Sequence, residues 1–319
     1  MKRKILITAT NYSRYCAGAK ALLESHGFEI VENGFGRPMT FEELKERVSD
    51  IYGVVVGVDT WDEEVFKLAP QLKVMARFGV GVDNIDLEKA KEYGIQVTNA
   101  RGMNANAVAE MAVGLILGIT RNIPCLDNSL RRGNWDRFLG KDIAGKKVGL
   151  LGFGAIAQLL ARKLQGFDVN LYAYDKYPNL QKAEELKVAM TGMEEILRSC
   201  DIVSMHLPSS GDTYRIMGKA QFDMMKDGAY FINTARGALV DEKALYDALK
   251  AGKLTGAATD VYEEEPAKPE NPLFELDNIL CTPHTAAETY ETYTTVSLAT
   301  ARAILDVSNG KIPENLLNG

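Results

Sequence analysis

Three segments of this sequence end an apolar, strand-like run in a residue able to do chemistry. Tyr230–Ala235 runs into Arg236-Gly237. Ala257–Thr259 runs into Asp260, with Glu265-Pro266 in the loop that follows. Ile279–Pro283 runs into His284. Arg236 offers a planar, permanently charged fork that takes a carboxylate through two parallel hydrogen bonds. His284 is the natural proton donor near neutral pH for a carbonyl oxygen that gains negative charge. A carboxylate behind it, Glu265, would orient the ring and favour its protonated form. The set suits reduction of a 2-oxo acid. In reverse, a neutral His284 takes the proton of a 2-hydroxy acid. Each residue alone has an ordinary reading: a surface ion pair, a loop histidine, a solvated member of Glu263-Glu264-Glu265. What joins them is their place on three consecutive sheet ends, because ligands of open α/β sheets sit outside the carboxyl ends of the strands.

The chain holds only three histidines. His206 is the competitor: it follows the apolar run Ile202–Met205 and reads as lining a cofactor cleft. His26 lies at a helix end and reads as a cap or surface residue.

The segment from Val148 to Ala157 spells G-x-G-x-x-A at Gly152, Gly154 and Ala157. It follows an apolar strand and opens an amphipathic stretch, Ala155–Gln165. A second strand then ends in Tyr174-Asp175, close to the ~20-residue spacing of a dinucleotide fingerprint. Gly152 permits the tight turn. Gly154 carries no side chain, so a pyrophosphate can approach backbone N–H groups at the helix start, where Ala155 and Ile156 stand. Ala157 is small enough for close helix–strand packing. Asp175 would accept hydrogen bonds from ribose hydroxyls and repel a 2′-phosphate, which favours NAD over NADP.

These residues need two α/β frameworks to position them. Strand-like runs fall at Ile5–Thr8, Gly53–Val58, Leu72–Phe78 and Ile95–Thr98, with helical stretches between. A second series begins at Lys147, with strands at Lys147–Leu151, Asn170–Tyr174, Ile202–Met205, Ala229–Asn233, Gly256–Thr259 and Ile279–Cys281. The βα rhythm implies parallel sheets covered by helices. Between the series lie an Ala- and Gly-rich helix, Asn104–Arg121, and a second one, Ile123–Arg132. The segment holding Trp135 fits no βα unit; it reads either as an arm packing on a second subunit or as a loop over its own domain. A final helix, Glu288–Asn309, is expected to return to the N-terminal domain. Hinges are expected near residues 99–103 and 283–288.

The bulk numbers agree with this class. A length of 319 residues favours two domains. Hydrophobic residues at 46% and charged residues at 25% supply enough apolar content for two cores. A formal charge of −6, with no basic cluster beyond Arg131-Arg132, argues against nucleic acid as a partner. No apolar run reaches the ~18 residues of a membrane span, and the apolar stretch after Met1-Lys2-Arg3-Lys4 is too short for a signal peptide. Cys16, Cys125, Cys200 and Cys281 are far apart, which argues against a metal site or disulfide framework and suits the cytoplasm.

With these residues in hand, the chain resembles the D-isomer-specific 2-hydroxyacid dehydrogenases over nearly its whole length. The motifs are Leu151–Ala157 through Asp175, Met205-His-Leu-Pro208 through Gly218 to Gly228, Asn233–Glu242, Asp260–Pro266 and Thr282-Pro-His284. The resemblance implies catalysis by Arg236, Glu265 and His284. It implies cofactor contacts from the glycine loop, Asp175, His206, Leu207, Pro208, Thr213, Thr234, Ala235 and Asp260. The segment Arg77–Asp83 becomes the substrate loop, with N–H groups around Val80 and Gly81 holding a carboxylate opposite Arg236, and Asn104 near the hinge helix. The implied fold is an NAD-binding Rossmann domain, residues 102–286, inserted into a split flavodoxin-like substrate domain, residues 1–101 plus 287–319, in a homodimer. Related formate dehydrogenases carry Gln where Glu265 stands. Some relatives act as NAD-sensing corepressors, a rival reading that no basic or disordered extension supports.

The chain looks closest to short phosphoglycerate dehydrogenase-like members, with two departures. The sequence runs only to Gly319 and is read as lacking a C-terminal regulatory domain for serine feedback. Phosphoglycerate enzymes typically place an Arg near the end of the Val54–Val58 strand; here Gly57 stands there, with Asp59 and Asp62 nearby. This departure argues against phosphoglycerate as clearly the best substrate and leaves glyoxylate, hydroxypyruvate or a bulkier 2-oxo acid open beside it.

Overall fold

A computed structural model describes residues 2–319. Its contacts divide the chain into two compact units, residues 1–104 with 288–319, and residues 105–287.

The first unit is built on five parallel strands: β1 (Lys4–Ile7), β2 (Glu29–Glu32), β3 (Ile51–Val56), β4 (Val74–Arg77) and β5 (Gln96–Thr98). Their order is β2-β1-β3-β4-β5, the flavodoxin-like order. The central strands are apolar along almost every position, as strands covered on both faces must be. The final helix, Tyr290–Ser308, does return to this sheet: it packs on β4 and on the helix Ala17–Ser25, and Tyr293, Ala301 and Ile304 join the core around Ile5, Val55 and Val74. Thr289 starts it by accepting a hydrogen bond from Thr292 N–H. The tail then covers the β5 edge, with Leu317 N–H donating to Val97 O at 2.8 Å. The strand β2 has no counterpart among the expected runs. It is a half-exposed edge strand with acids at both ends, so it lacks the apolar signature of its neighbours.

The second unit holds seven parallel strands: β6 (Lys147–Leu151), β7 (Asn170–Tyr174), β8 (Ala189–Met190), β9 (Ile202–Met205), β10 (Ala229–Asn233), β11 (Leu254–Thr259) and β12 (Ile279–Cys281). Their order, β12-β11-β10-β9-β6-β7-β8, is doubly wound about β6. The order reverses between β6 and β9, the place where such sheets open a crevice for a ligand. The small-residue helix Ala105–Thr120 lies against the helix Ala155–Leu164, and its Ala109, Ala112 and Ile116 are fully buried. The two-residue edge strand β8 was not foreseen either. After the helix Ile123–Arg131, residues 132–140 form no regular element and are exposed throughout. Among the described residues, no single helix is long and apolar enough to cross a membrane.

Candidate functional site

The glycine loop leaves β6 and meets the chain just past the end of β9. Gly152 has φ +98°, and an added Cβ would lie 2.7 Å from the His206 carbonyl. Only glycine fits both the backbone and the space. Around the place of a Cβ on Gly154 nothing lies within 4 Å. Gly154 precedes the helix Ala155–Leu164, so the loop offers an open approach to a helix N-terminus. Ala157 is fully buried, and Ile156 packs against the same core. At the end of β7, Asp175 Oδ2 accepts from Phe153 N–H at 2.7 Å and Oδ1 from Tyr177 N–H at 2.8 Å. The carboxylate thus pins the glycine loop.

His206 N–H donates to Leu151 O at 2.7 Å, and its Nε2 lies 2.9 Å from the buried Ser204 hydroxyl. Burial lowers its pKa to about 4, so the ring stays neutral near pH 7. Leu207 is buried in the core, while Pro208 is exposed. Thr213 turns its hydroxyl inward on its own loop, donating to Pro208 O at 2.7 Å and accepting from Ser210 N–H at 2.8 Å. It shapes the loop rather than presenting a free hydroxyl. Thr234, at the end of β10, is the opposite case: it is buried and its Oγ1 has no hydrogen-bond partner among the described residues. An unpaired buried hydroxyl beside an open glycine-loop sheet end fits a dinucleotide that supplies the missing bond.

The ends of β10, β11 and β12 bring together the three residues proposed from sequence. His284 Nδ1 lies 2.6 Å from Glu265 Oε2, and Glu265 Oε1 accepts from Tyr262 N–H at 3.0 Å. Burial pushes the Glu265 carboxyl up. The hydrogen bond and charge of His284, the Tyr262 N–H and the Arg236 charge more than offset it, and the pKa falls below the ordinary carboxylate range. His284 has φ +53°, an uncommon backbone for a residue with a side chain. It is held there by its own N–H, which donates to Asp260 O at 2.8 Å. Asp260 is fully buried. Its Oδ1 accepts from the Thr282 hydroxyl at 2.6 Å and from Thr285 N–H at 2.9 Å, and Oδ2 from Ala286 N–H at 2.9 Å. Asp260 therefore ties the end of β11 to the loop that carries His284. Arg236 is half-buried; its carbonyl accepts from Asn233 Nδ2 at 3.0 Å, and Asn233 Oδ1 accepts from Ala235 N–H at 3.0 Å. The buried Asn233 thus shapes the turn that presents the guanidinium. Thr282 and Tyr262 were missed from sequence; a hydroxyl beside a proline carries no mark of the buried acid it serves.

In the first unit, Val80 and Gly81 follow β4, and Asn104 ends the unit just before the helix Ala105–Thr120. At the end of β3, an added Cβ on Gly57 would lie 3.0 Å from Ala9 Cα and from Thr8 O. Backbone crowds this position, so a side chain there would have to displace the Thr8–Ala9 segment. The acids nearby need correction. Asp59 is 2% exposed and accepts from Met39 N–H at 3.0 Å and from Trp61 Nε1 at 3.4 Å, and Asp62 caps the helix Glu63–Leu68. Both serve the fold, and neither repels a ligand by facing it. Val58, which follows Gly57 directly, is 58% exposed.

Residues 113–286 match the family described as D-isomer specific 2-hydroxyacid dehydrogenase, NAD binding domain. The chain is 40% identical to a D-3-phosphoglycerate dehydrogenase of Archaeoglobus fulgidus over 93% of its length, yet spans only 56% of that protein. It is 36% identical to a glyoxylate reductase of Pyrococcus furiosus, covering 100% of this chain and 96% of the other. The structure of apo D-lactate dehydrogenase from Escherichia coli superposes with a TM-score of 0.87 at 30% identity, covering 99% of both chains. The chain belongs to the D-isomer specific 2-hydroxyacid dehydrogenase family.

Proposed function

We propose that this chain is an NAD-dependent oxidoreductase interconverting a small D-2-hydroxy acid and its 2-oxo acid. The observation that carries the reading is the 2.6 Å His284–Glu265 pair standing at the sheet ends that also carry Asp260 and Arg236. NAD, when bound by the second unit, supplies or accepts the hydride at the substrate's α carbon. The chain's own residues do the rest. The Glu265 carboxylate holds Nδ1–H of His284, which leaves Nε2 to deliver a proton to the carbonyl oxygen or to take one from the hydroxyl. Arg236 pairs with the substrate carboxylate and fixes which face of the α carbon is offered. Neutral His206 has no proton to give and serves the cofactor loop. Asp175 selects NAD over NADP.

The substrate class is glyoxylate- or hydroxypyruvate-like rather than phosphorylated, because backbone crowds Gly57 and an apolar Val58 stands beside it. The working form is a homodimer joined through residues 100–140, and the four free thiols suit the cytoplasm. Steady-state assays with NADH and NADPH against a panel of 2-oxo acids test the reading. Turnover with at least one unphosphorylated acid and NADH is expected. Cofactor binding with no turnover on any acid would leave a binding protein instead.

A further inference from the structure

Three successive carbonyls in the loop after β4 are each held from within the first unit. Gly79 O accepts from Ala100 N–H at 2.8 Å, Val80 O from Asn99 Nδ2 at 2.7 Å, and Gly81 O from Arg77 Nε at 2.9 Å. In a planar trans peptide the N–H of the next residue points opposite to the carbonyl. Holding these carbonyls therefore turns the N–H groups of Val80, Gly81 and Val82 away from the donors that hold them. Among the described residues none of those three N–H groups has an acceptor. Three consecutive free amides are the makings of an anion-binding nest.

The donors are costly choices. Asn99 Oδ1 is buried with no hydrogen-bond partner among the described residues, so its donor end is what ties it to the loop. Arg77 also reaches other main-chain oxygens: besides the Nε bond to Gly81 O, its Nη1 donates to Phe78 O at 2.7 Å and Val56 O at 3.3 Å. That brings β3, β4 and the loop onto one rigid planar group, and places a fixed positive charge behind the amides.

We infer that Asn99 and Arg77 are positioning residues that pre-organise the Val80–Val82 amides to receive the carboxylate of the substrate. They act through the peptide planes without touching the acid. The inference rests on the proposed 2-oxo acid reductase reading. It predicts a signature unlike that of a residue involved in the chemistry: weaker binding of the acid, with the turnover step and cofactor binding preserved.

The experiment compares wild type, Asn99→Ala and Arg77→Lys. It measures KM and kcat for the best 2-oxo acid, the dissociation constant of oxamate in the presence of NADH, NADH binding by fluorescence, and thermal midpoint. For Asn99→Ala, KM and the oxamate constant should rise together about tenfold or more. NADH binding should stay within about twofold and kcat within about threefold. Arg77→Lys keeps the charge but cannot span the three carbonyls, and should weaken oxamate similarly. Unchanged KM and oxamate binding in Asn99→Ala, or a fall in kcat with KM unmoved, overturns the inference. So does an Arg77→Lys variant that binds oxamate as wild type does. Should Asn99→Ala fail to fold, Asn99→Leu, close in size, uncharged and unable to donate, carries the same expectations. If wild type reduces no 2-oxo acid, the functional reading fails; loss of oxamate binding in the variants alone would still show that these residues build an anion site.

Discussion

Glu265 holds His284 through one carboxylate oxygen and the Tyr262 N–H through the other, at 2.6 and 3.0 Å. The ring is thereby fixed in place and in tautomer. Proton donation to a developing alkoxide contributes about 10²–10⁴-fold, so His284→Ala should lower kcat by roughly that factor with NADH binding nearly intact. His206→Ala should leave most of kcat. The reverse pattern, measured in parallel assays, would move the acid to the end of β9.

Glu265→Gln keeps the size of the side chain but removes its charge. The kcat for 2-oxo acid reduction should fall, since the His284 ring loses the carboxylate that orients it. Stability gives a second readout. The Glu265 pKa is lower in the folded chain, so its contribution is present above the ordinary carboxylate value of ~4.3 and lost as pH falls through the folded value. Thermal melts should show wild type ahead of Glu265→Gln at pH 7, with the gap closing in acid below about pH 4. His206 acts in the same direction over a higher window. Its folded pKa, about 4, lies under the unfolded ~6.5. The unfolded chain then binds more protons, and stability should rise with pH through that window.

Asp175→Ala should relax the preference for NADH over NADPH and weaken both cofactors. The carboxylate repels a 2′-phosphate and also accepts from Phe153 N–H, so its loss loosens the glycine loop itself. Lys176 beside it is directed at Asp212, 3.5 Å away, and does not cancel the acid. Equal kcat/KM for the two cofactors in wild type would refute this.

The ends of β10, β11 and β12 were legible because an apolar run that stops at Arg236, Asp260 or His284 already says which end of a parallel sheet the residue occupies. What such a run does not show is direction. Asp59 reads as an exposed acid near a ligand, yet Met39 N–H and Trp61 Nε1 draw it inward. Thr213 reads as a free hydroxyl, yet Pro208 O and Ser210 N–H take both of its capacities. Asn99 and Arg77 reveal nothing of their hold on the loop by type or spacing, because the carbonyls they bind there are main-chain groups that any sequence carries. The β2 and β8 edges were invisible for another reason: strands covered on one side, or only two residues long, lack the continuous apolar run that marks the interior.

Position 57 separates substrate from fold. Gly57 N–H donates to the Thr8 hydroxyl at 2.8 Å while backbone crowds the space of a Cβ. Gly57→Arg should therefore destabilise the first unit instead of creating a phosphate site, and a circular-dichroism melt should show a lower midpoint. In wild type, 3-phosphohydroxypyruvate should show no advantage over hydroxypyruvate or glyoxylate. A kcat/KM at least tenfold in its favour would refute the unphosphorylated class.

The segment after the helix Ile123–Arg131 carries the exposed apolar surface that the proposed dimer must cover. Trp135 is 82% and Leu139 96% exposed, with Phe138 between them and Leu130 on the preceding helix. Scattered single apolar residues need no partner, but several along one short segment mark an interface. Large aromatic and aliphatic side chains of this kind anchor an interface core. Light scattering at micromolar protein should report a particle of about twice the 35.1 kDa chain. Trp135→Ala with Leu139→Ser should shift it toward monomer while circular dichroism stays unchanged, since neither side chain is part of either core. A single particle of the chain's own mass in wild type would refute the dimer and leave the segment as a loop over its own domain.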